Sequence, residues 1–394
     1  MHNILNEQLT CSAFSKYKAQ KLLRSSLIVA HLTSVHPRWD TRLLKMCTSL
    51  VKNGFIVNLV VADGKGNEIL DGFKIVDAGS FNGRLRRIVN GTRAVLKEGL
   101  MLNADLYHIH DPELLPVAML LILKGKKVIF DSHEDVSKQI LSKPYLNMPL
   151  LYLISKIYSI CEIFICKRLT GIIAATPKIR DKFLEININV IDVNNYPVLS
   201  EFAGVTKKIS RKNMVCYVGS ISLIRGIEEI VHSLTLTKSN VTLNLVGEFT
   251  EQELKRQINL KKGWHRVKDF GFLDRAGIKK IFSNSLAGLV VFHPLPNHIH
   301  AQPNKIFDYM SAGIPVIASN FPLWREIVET NQCGLCIDPL NPKEIARAID
   351  YIITHKSEAK IMGRNGRNTI VKKYNWANES KKLIDFYSML LNVN

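Results

Sequence analysis

Residues 302–319 read Gln-Pro-Asn-Lys-Ile-Phe-Asp-Tyr-Met-Ser-Ala-Gly-Ile-Pro-Val-Ile-Ala-Ser. The stretch predicts a helix that opens at Pro303, stops at Gly313 and runs at once into a buried strand from Ile314 to Ala318. Proline suits a first helical turn, where its missing N–H costs no intrahelical bond. Glycine suits the stop, where φ is often positive. A short apolar run after it is of the kind covered on both faces in a parallel sheet. Lys305 falls in the first helical turn, where the helix dipole opposes a cation. Folding alone does not favour a lysine there, whereas a bound anion at the helix N-terminus does. The stretch therefore predicts an α/β fold with a diphosphate-sized anion site at a loop-to-helix junction.

Working outward, strand and helix alternate along the chain. Expected strands are Ser26–Thr33, Phe55–Ala62, Asp71–Ala78, Asp105–His110, Lys127–Asp131, Gly171–Ala175 and Val190–Val193, with helices over Thr41–Asn53, Arg84–Met101 and Pro112–Leu123. The alternation pauses near Asn194–Thr206, which contains Pro197 and Gly204, and restarts with strands at Met214–Gly219, Val241–Gly247, Val267–Phe270 and Ala287–Phe292. Apolar strands alternating with helices imply parallel, doubly wound sheets. The expected architecture is two tandem Rossmann-like domains facing across a cleft, because ligands of open α/β sheets bind outside the strand C-terminal ends. The expected domains are 1–200, with 1–25 as a lead-in, and 207–375, followed by a helix over 376–394 that returns to the first domain.

The 394 residues are enough for two full cores. The net charge of +19 is spread over both halves, and its densest runs are Arg84-Leu85-Arg86-Arg87 and Lys124-Gly125-Lys126-Lys127. A basic surface suits anionic substrates, an anionic membrane or nucleic acid. No aromatic-basic ladder or nucleic-acid motif accompanies the charge, so nucleic acid is not expected as a partner. Seven scattered cysteines, an odd number, point to reduced thiols and a cytoplasmic setting. Cys333-Gly-Leu-Cys336 has no second CxxC or histidine pair, and Asp-x-Asp is absent, so neither a metal nor another cofactor is expected. No signal peptide or membrane span is expected. Met148–Leu169 is apolar but broken by Lys156, Glu162, Lys167 and Arg168; it suits either a core helix or one lying on a membrane surface.

A second phosphate-shaped feature opens the second domain: Cys216-Tyr-Val-Gly-Ser-Ile-Ser-Leu-Ile-Arg-Gly226. It is a strand, a glycine and a short polar loop, with Arg225 at a helix start. Arginine forks onto two phosphate oxygens at once. Two such loops in one sheet, each with a cation, predict a nucleotide diphosphate site.

With these two blocks the chain resembles retaining GT-B glycosyltransferases of family 4, the group 1 class, of the bacterial surface-polysaccharide type. His108-Ile-His-Asp-Pro-Glu-Leu-Leu-Pro116, Asp131-Ser-His-Glu-Asp135 and His36-Pro-Arg-Trp-Asp-Thr-Arg42 are similar to the first domain of the same group. The resemblance spans about residues 26–375. It implies that Pro303, Asn304 and Lys305 meet the donor diphosphate with Arg225, beside Gly219 and Ser220. It implies that Asp308 takes the ribose hydroxyls and that Asp269–Leu273, with Phe272, holds the nucleobase. His110 would touch the transferred sugar, and His36, Asp40, Arg42 and His133 would lie on the acceptor side. The implied reaction is metal-independent sugar transfer with retention, from a nucleotide-sugar (a UDP-sugar as the expected donor) to a hydroxyl of a lipid-linked saccharide. Peripheral contact with an anionic membrane at its cytoplasmic face is a further expectation, from the spread basic charge and the apolar, cation-flanked stretch 148–169.

The chain also departs from this pattern. Where many members carry two glutamates eight positions apart, it has His300 and Asp308; Ser220 replaces a frequent arginine, and Val35-His36-Pro37 replaces a glycine-rich loop. Two rival expectations are a sugar-nucleotide epimerase of the same fold and an inert partner subunit.

Overall fold

The computed structural model describes residues 24–141, 147–202 and 213–393. The chain divides into two compact units, Met1–Asn195 with Glu379–Asn394, and Tyr196–Asn378. Most of the expected lead-in and residues 203–206 of the pause lie outside the described residues.

The first unit contains, in order, β1 (Ile28–Leu32), α1 (Thr41–Lys52), β2 (Ile56–Val61), β3 (Glu68–Leu70), β4 (Phe73–Asp77), α2 (Thr92–Met101), β5 (Leu106–Ile109), α3 (Leu115–Leu123), β6 (Lys127–Ser132), α4 (Val136–Leu141), α5 (Met148–Cys166), β7 (Gly171–Ala174), α6 (Pro177–Leu184) and β8 (Val190–Asp192). Its sheet runs β3-β4-β2-β1-β5-β6-β7-β8 and is parallel except for the β3–β4 pair. That hairpin is not among the expected elements, although its signal is present. Asp71 (φ 47°) and Gly72 (φ 85°) form a two-residue turn of the kind that favours Asp-Gly. The helix expected over Arg84–Met101 is interrupted by a wider π-helical turn at Arg87–Gly91.

The second unit contains β9 (Met214–Val218), α7 (Ile227–Leu236), β10 (Thr242–Val246), α8 (Gln252–Asn259), β11 (Val267–Asp269), α9 (Arg275–Ser283), β12 (Ala287–Val290), α10 (Pro296–Ile299), α11 (Asn304–Ser311), β13 (Val316–Ser319), α12 (Pro322–Val328), β14 (Gly334–Ile337), α13 (Pro342–Thr354) and α14 (Lys356–Lys372). The sheet order is β11-β10-β9-β12-β13-β14, and its strands are paired in parallel. Helices cover both faces, so the strands are apolar on both sides and two hydrophobic clusters flank the sheet. The strand order reverses between β9 and β12, so the loops after these strands diverge and leave a crevice.

The last helix, α15 (Trp376–Leu391), belongs to the first unit from Glu379 onward. Glu379 accepts the Asn194 N–H at 2.7 Å, the Tyr387 hydroxyl meets His108 Nδ1 at 2.6 Å, and Lys127 donates to the Leu390 carbonyl at 2.7 Å. The ring of Phe386 and the tip of Leu390 occupy the space where a Cβ on Gly171 would sit.

Candidate functional site

In the second unit the opening stretch forms α11 as expected. Pro303 is the N-cap and offers no side-chain acceptor, Ile306 is the first residue to return its N–H, to Pro303 O, and Gly313 closes the helix at φ 68°. The N–H groups before Ile306 belong to the first turn of a helix, where an anion can be accepted. Tyr309 fixes the helix against the sheet. Its hydroxyl oxygen accepts the Val218 N–H at 3.0 Å, and its ring lies where a Cβ on Gly288 would be, 2.3 Å from the nearest ring atom. Gly288 thus allows α11 to sit directly on β12.

Lys305 Nζ is buried and has no hydrogen-bond partner among the described residues, although the stem of the side chain is partly exposed. It stands 3.8 Å from the Tyr217 ring centroid and 5.1 Å from that of Phe292, and 3.4 Å from where a Cβ on Gly219 would lie. Gly219 has φ 118°, so a side chain there would be strained as well as aimed at the ammonium. Arg225 holds the Ser220 carbonyl at 3.1 Å, and its guanidinium carbon is 5.6 Å from the same Phe292 ring. Burial, and next the charge of Arg225, push the Lys305 ammonium well below the usual lysine range, against the pull of Asp308. Two cations therefore converge on one aromatic ring beside a helix N-terminus. A buried ammonium without a partner is costly, and a diphosphate would satisfy it.

Asp308 lies one turn further along α11, 3.5 Å from Arg275, which also pairs with Glu201 at 2.8 Å. Phe272 follows β11 and is 76% exposed, next to Gly271, whose carbonyl accepts the Gly247 N–H. His300 is exposed at the end of α10, and the carbonyl of the following Ala301 is held by Trp324 Nε1 at 2.7 Å. Sequence reasoning missed His293, whose Nε2 meets Glu229 at 3.1 Å just beyond β12. A polar residue directly after an apolar strand was the available signal.

In the first unit five histidines gather near the C-terminal ends of β1, β5 and β6. His108 and His110 alternate onto one face of β5, and His31 is the register partner of His108 on β1. His110 departs from its expected role. It is 1% exposed; its Nε2 meets His31 Nδ1 at 2.9 Å and its Nδ1 meets Asp131 at 3.2 Å, so neither nitrogen is free for a sugar. Burial pushes it down to about 3, against the charge and hydrogen bond of Asp131; burial likewise keeps His31 and His108 neutral.

Arg42 also serves inside the unit and not on an open acceptor face, whereas Asp40 stays partly exposed beside His36. Arg42 is buried, makes a two-pronged pair with Asp131 (2.8 and 2.7 Å) and donates to Val193 O at 2.6 Å. Asp40 caps α1, accepting the N–H groups of Arg42 and Leu43 at 2.9 and 3.0 Å. Burial raises the Asp40 carboxyl, but its hydrogen bonds to His36 and Leu43 win and hold it at about 2. His36 and His133 stay partly exposed, with stacked rings 4.8 Å apart. His133 Nε2 is 3.2 Å from Asp131, and His36 Nε2 is 3.4 Å from Asp111. Asp111, also missed, organises the loop after β1 by accepting from Thr33 Oγ1 and the N–H groups of Ser34 and Val35. Burial lowers His36, yet Asp40 and Asp111 outweigh it, so the imidazole is more basic than usual.

Two groups among the described residues bring potential metal-ligand atoms within 4.8 Å of one another: His31, His108 and His110, and His110, Asp131 and His133. In the second group Arg42 already holds both oxygens of Asp131.

Residues 200–369 match the family model described as glycosyl transferases group 1. An uncharacterized glycosyltransferase, MJ1607 of Methanocaldococcus jannaschii, is 24% identical over 46% of this chain and 46% of its own. The capsular polysaccharide biosynthesis glycosyltransferase CapM of Staphylococcus aureus is 25% identical over 57% of this chain and 61% of its own. The chain thus spans about half the length of these curated relatives. The structure of Anabaena HepE in complex with UDP superposes with a TM-score of 0.67 at 15% identity, covering 92% of this chain and 99% of that one. The fold is GT-B, and the unit that carries Lys305 and Arg225 is the one that matches the glycosyl transferases group 1 model.

Proposed function

We propose that the protein transfers a sugar from a nucleotide diphosphate, with UDP as the expected nucleotide, to a hydroxyl of a lipid-linked saccharide during surface-polysaccharide assembly in the cytoplasm, retaining the anomeric configuration. The observation that carries this reading is the buried, unpartnered Lys305 ammonium at the start of α11, facing Gly219 beside Arg225. In the proposed reaction the bond from the anomeric carbon to the diphosphate oxygen breaks with its electron pair going to the phosphate. The acceptor oxygen bonds to that carbon on the same face, and its proton passes to the leaving phosphate. Lys305, Arg225 and the α11 N–H groups stabilise the developing charge; preorganised donors of this kind are worth roughly 3 kcal/mol each.

Asp308 is assigned to the ribose, the backbone around Phe272 to the base, and His300 to the donor sugar. On the first unit His133 and His36 are assigned to the reacting sugars, because they are the partly exposed imidazoles of the cluster. His110 is assigned a positioning role through Asp131. No metal enters the scheme.

The test is a thermal-shift screen of UDP, GDP and ADP, followed by turnover. UDP should stabilise the wild type, and Lys305→Ala should remove most of that shift. An inverted anomer in the NMR spectrum of the product would refute the mechanism. Nucleotide release without added acceptor, or interconversion of the donor sugar, would favour an epimerase.

A further inference from the structure

Helix α5 leaves most of its apolar side chains outside. Its buried positions are Leu151, Ser155, Glu162, Ile165 and Cys166, whereas Tyr152, Leu153, Ile157, Ile160 and Phe164 are each half exposed or more, Ile160 at 65%. The polar face is fastened to the unit. Glu162 is 2.6 Å from Lys182, which also reaches Asp135 at 2.9 Å; Tyr158 donates to Glu162 at 3.2 Å, and Ser155 Oγ donates to Ser137 O at 2.8 Å. Against α3 the apolar face opens into a groove of about 480 Å³, apolar throughout, lined by Met119, Leu120, Ile160, Phe164 and Ile165. Exposed apolar side chains gathered on one face of a folded chain mark an interaction surface.

We infer that the α5 face and its groove with α3 dock on the surface of an anionic phospholipid bilayer. Charge selects this occupant. Glu162 is the one acidic residue between Asn147 and Thr170 and it is buried, whereas Lys156, Lys167 and Arg168 are exposed. Two of these cations rest on exposed rings, Lys156 5.4 Å from Tyr152 and Arg168 3.7 Å from Phe164, with stems along the apolar face as interfacial cations lie. A second copy of the chain would pair this patch with itself and bring like charges together. An anionic leaflet meets both the cations and the apolar side chains.

The helix is 19 residues long and apolar enough to span a membrane by length and composition, beyond what the sequence reading expects. Spanning would pull the Glu162–Lys182 pair apart in hydrocarbon, a heavy cost. The helix therefore lies on the bilayer. The groove gives one hydrocarbon chain of the same leaflet a place to lie.

The test is flotation of the full chain with vesicles of phosphatidylcholine alone or with about a third phosphatidylglycerol. The wild type should float with the anionic vesicles at low salt, weakly with the neutral ones, and less as salt rises. The double variant Ile157→Glu/Ile160→Glu, altered only at exposed positions, should lose about tenfold or more of the bound fraction while keeping its melting temperature. A wild type that ignores anionic vesicles, or a variant that floats as well as the wild type, overturns the inference. So does a concentration-dependent dimer that the variant dissolves without any vesicle binding. The docking does not rest on sugar transfer: a chain that floats yet is stabilised by none of UDP, GDP and ADP keeps the docking and refutes the transferase reading.

Discussion

Lys305 shows how much one position can disclose. Its place in a helical first turn is unfavourable for the dipole, and that misfit was legible in the sequence. Its burial against Tyr217 and Phe292 was not, because the rings come from β9 and from the segment just after β12. A depressed ammonium makes binding of an anion proton-coupled. The diphosphate favours the charged amine, so a proton is taken up on binding wherever the free group is deprotonated and the bound one is not. Affinity for UDP should therefore fall as pH rises above the depressed value in the free protein, by up to about tenfold per pH unit. Calorimetry in buffers of different ionisation enthalpy should show the uptake in the wild type and not in Lys305→Met; equal heats in all buffers would contradict it. His110 shows the converse. His31 and Asp131 occupy its two nitrogens from positions distant in the sequence, and pairing of that range leaves no trace in a local motif.

At the scale of elements, α11 and β13 were readable because proline, glycine and an apolar run punctuate them. The β3–β4 hairpin was readable too, from Asp71-Gly72. The exposed face of α5 was not, since a helix with apolar residues on every side does not announce which side is covered. The tie between α11 and β12 makes a prediction of its own. In Gly288→Ala the added methyl would meet the Tyr309 ring, so the helix must shift. The substitution should cost roughly 1–3 kcal/mol in urea unfolding. Affinity for UDP should fall as well, because Tyr309 also holds the Val218 N–H next to Gly219. Unchanged stability and affinity would show that the ring has room to give.

At the scale of the whole molecule, strand–helix alternation was enough to foresee two parallel sheets. The sequence did not show which side chains of α15 would close the first unit, because the decisive contact is the fit of Phe386 and Leu390 over Gly171. That fit has a consequence for how the chain is made. A ribosome emits the first unit's strands early but reaches Glu379 only after the entire second unit, a delay of roughly 10–40 s at ordinary elongation rates. Until then His108 lacks the Tyr387 hydroxyl and the face over Gly171 lies bare, so the half that is synthesised first matures last. A chain stopped after Asn378 should accordingly exchange the amide hydrogens of β1 and β5–β7 far faster than the intact protein while those of β9–β13 stay protected. Equal protection in both sheets would mean that the first unit completes itself without its final helix.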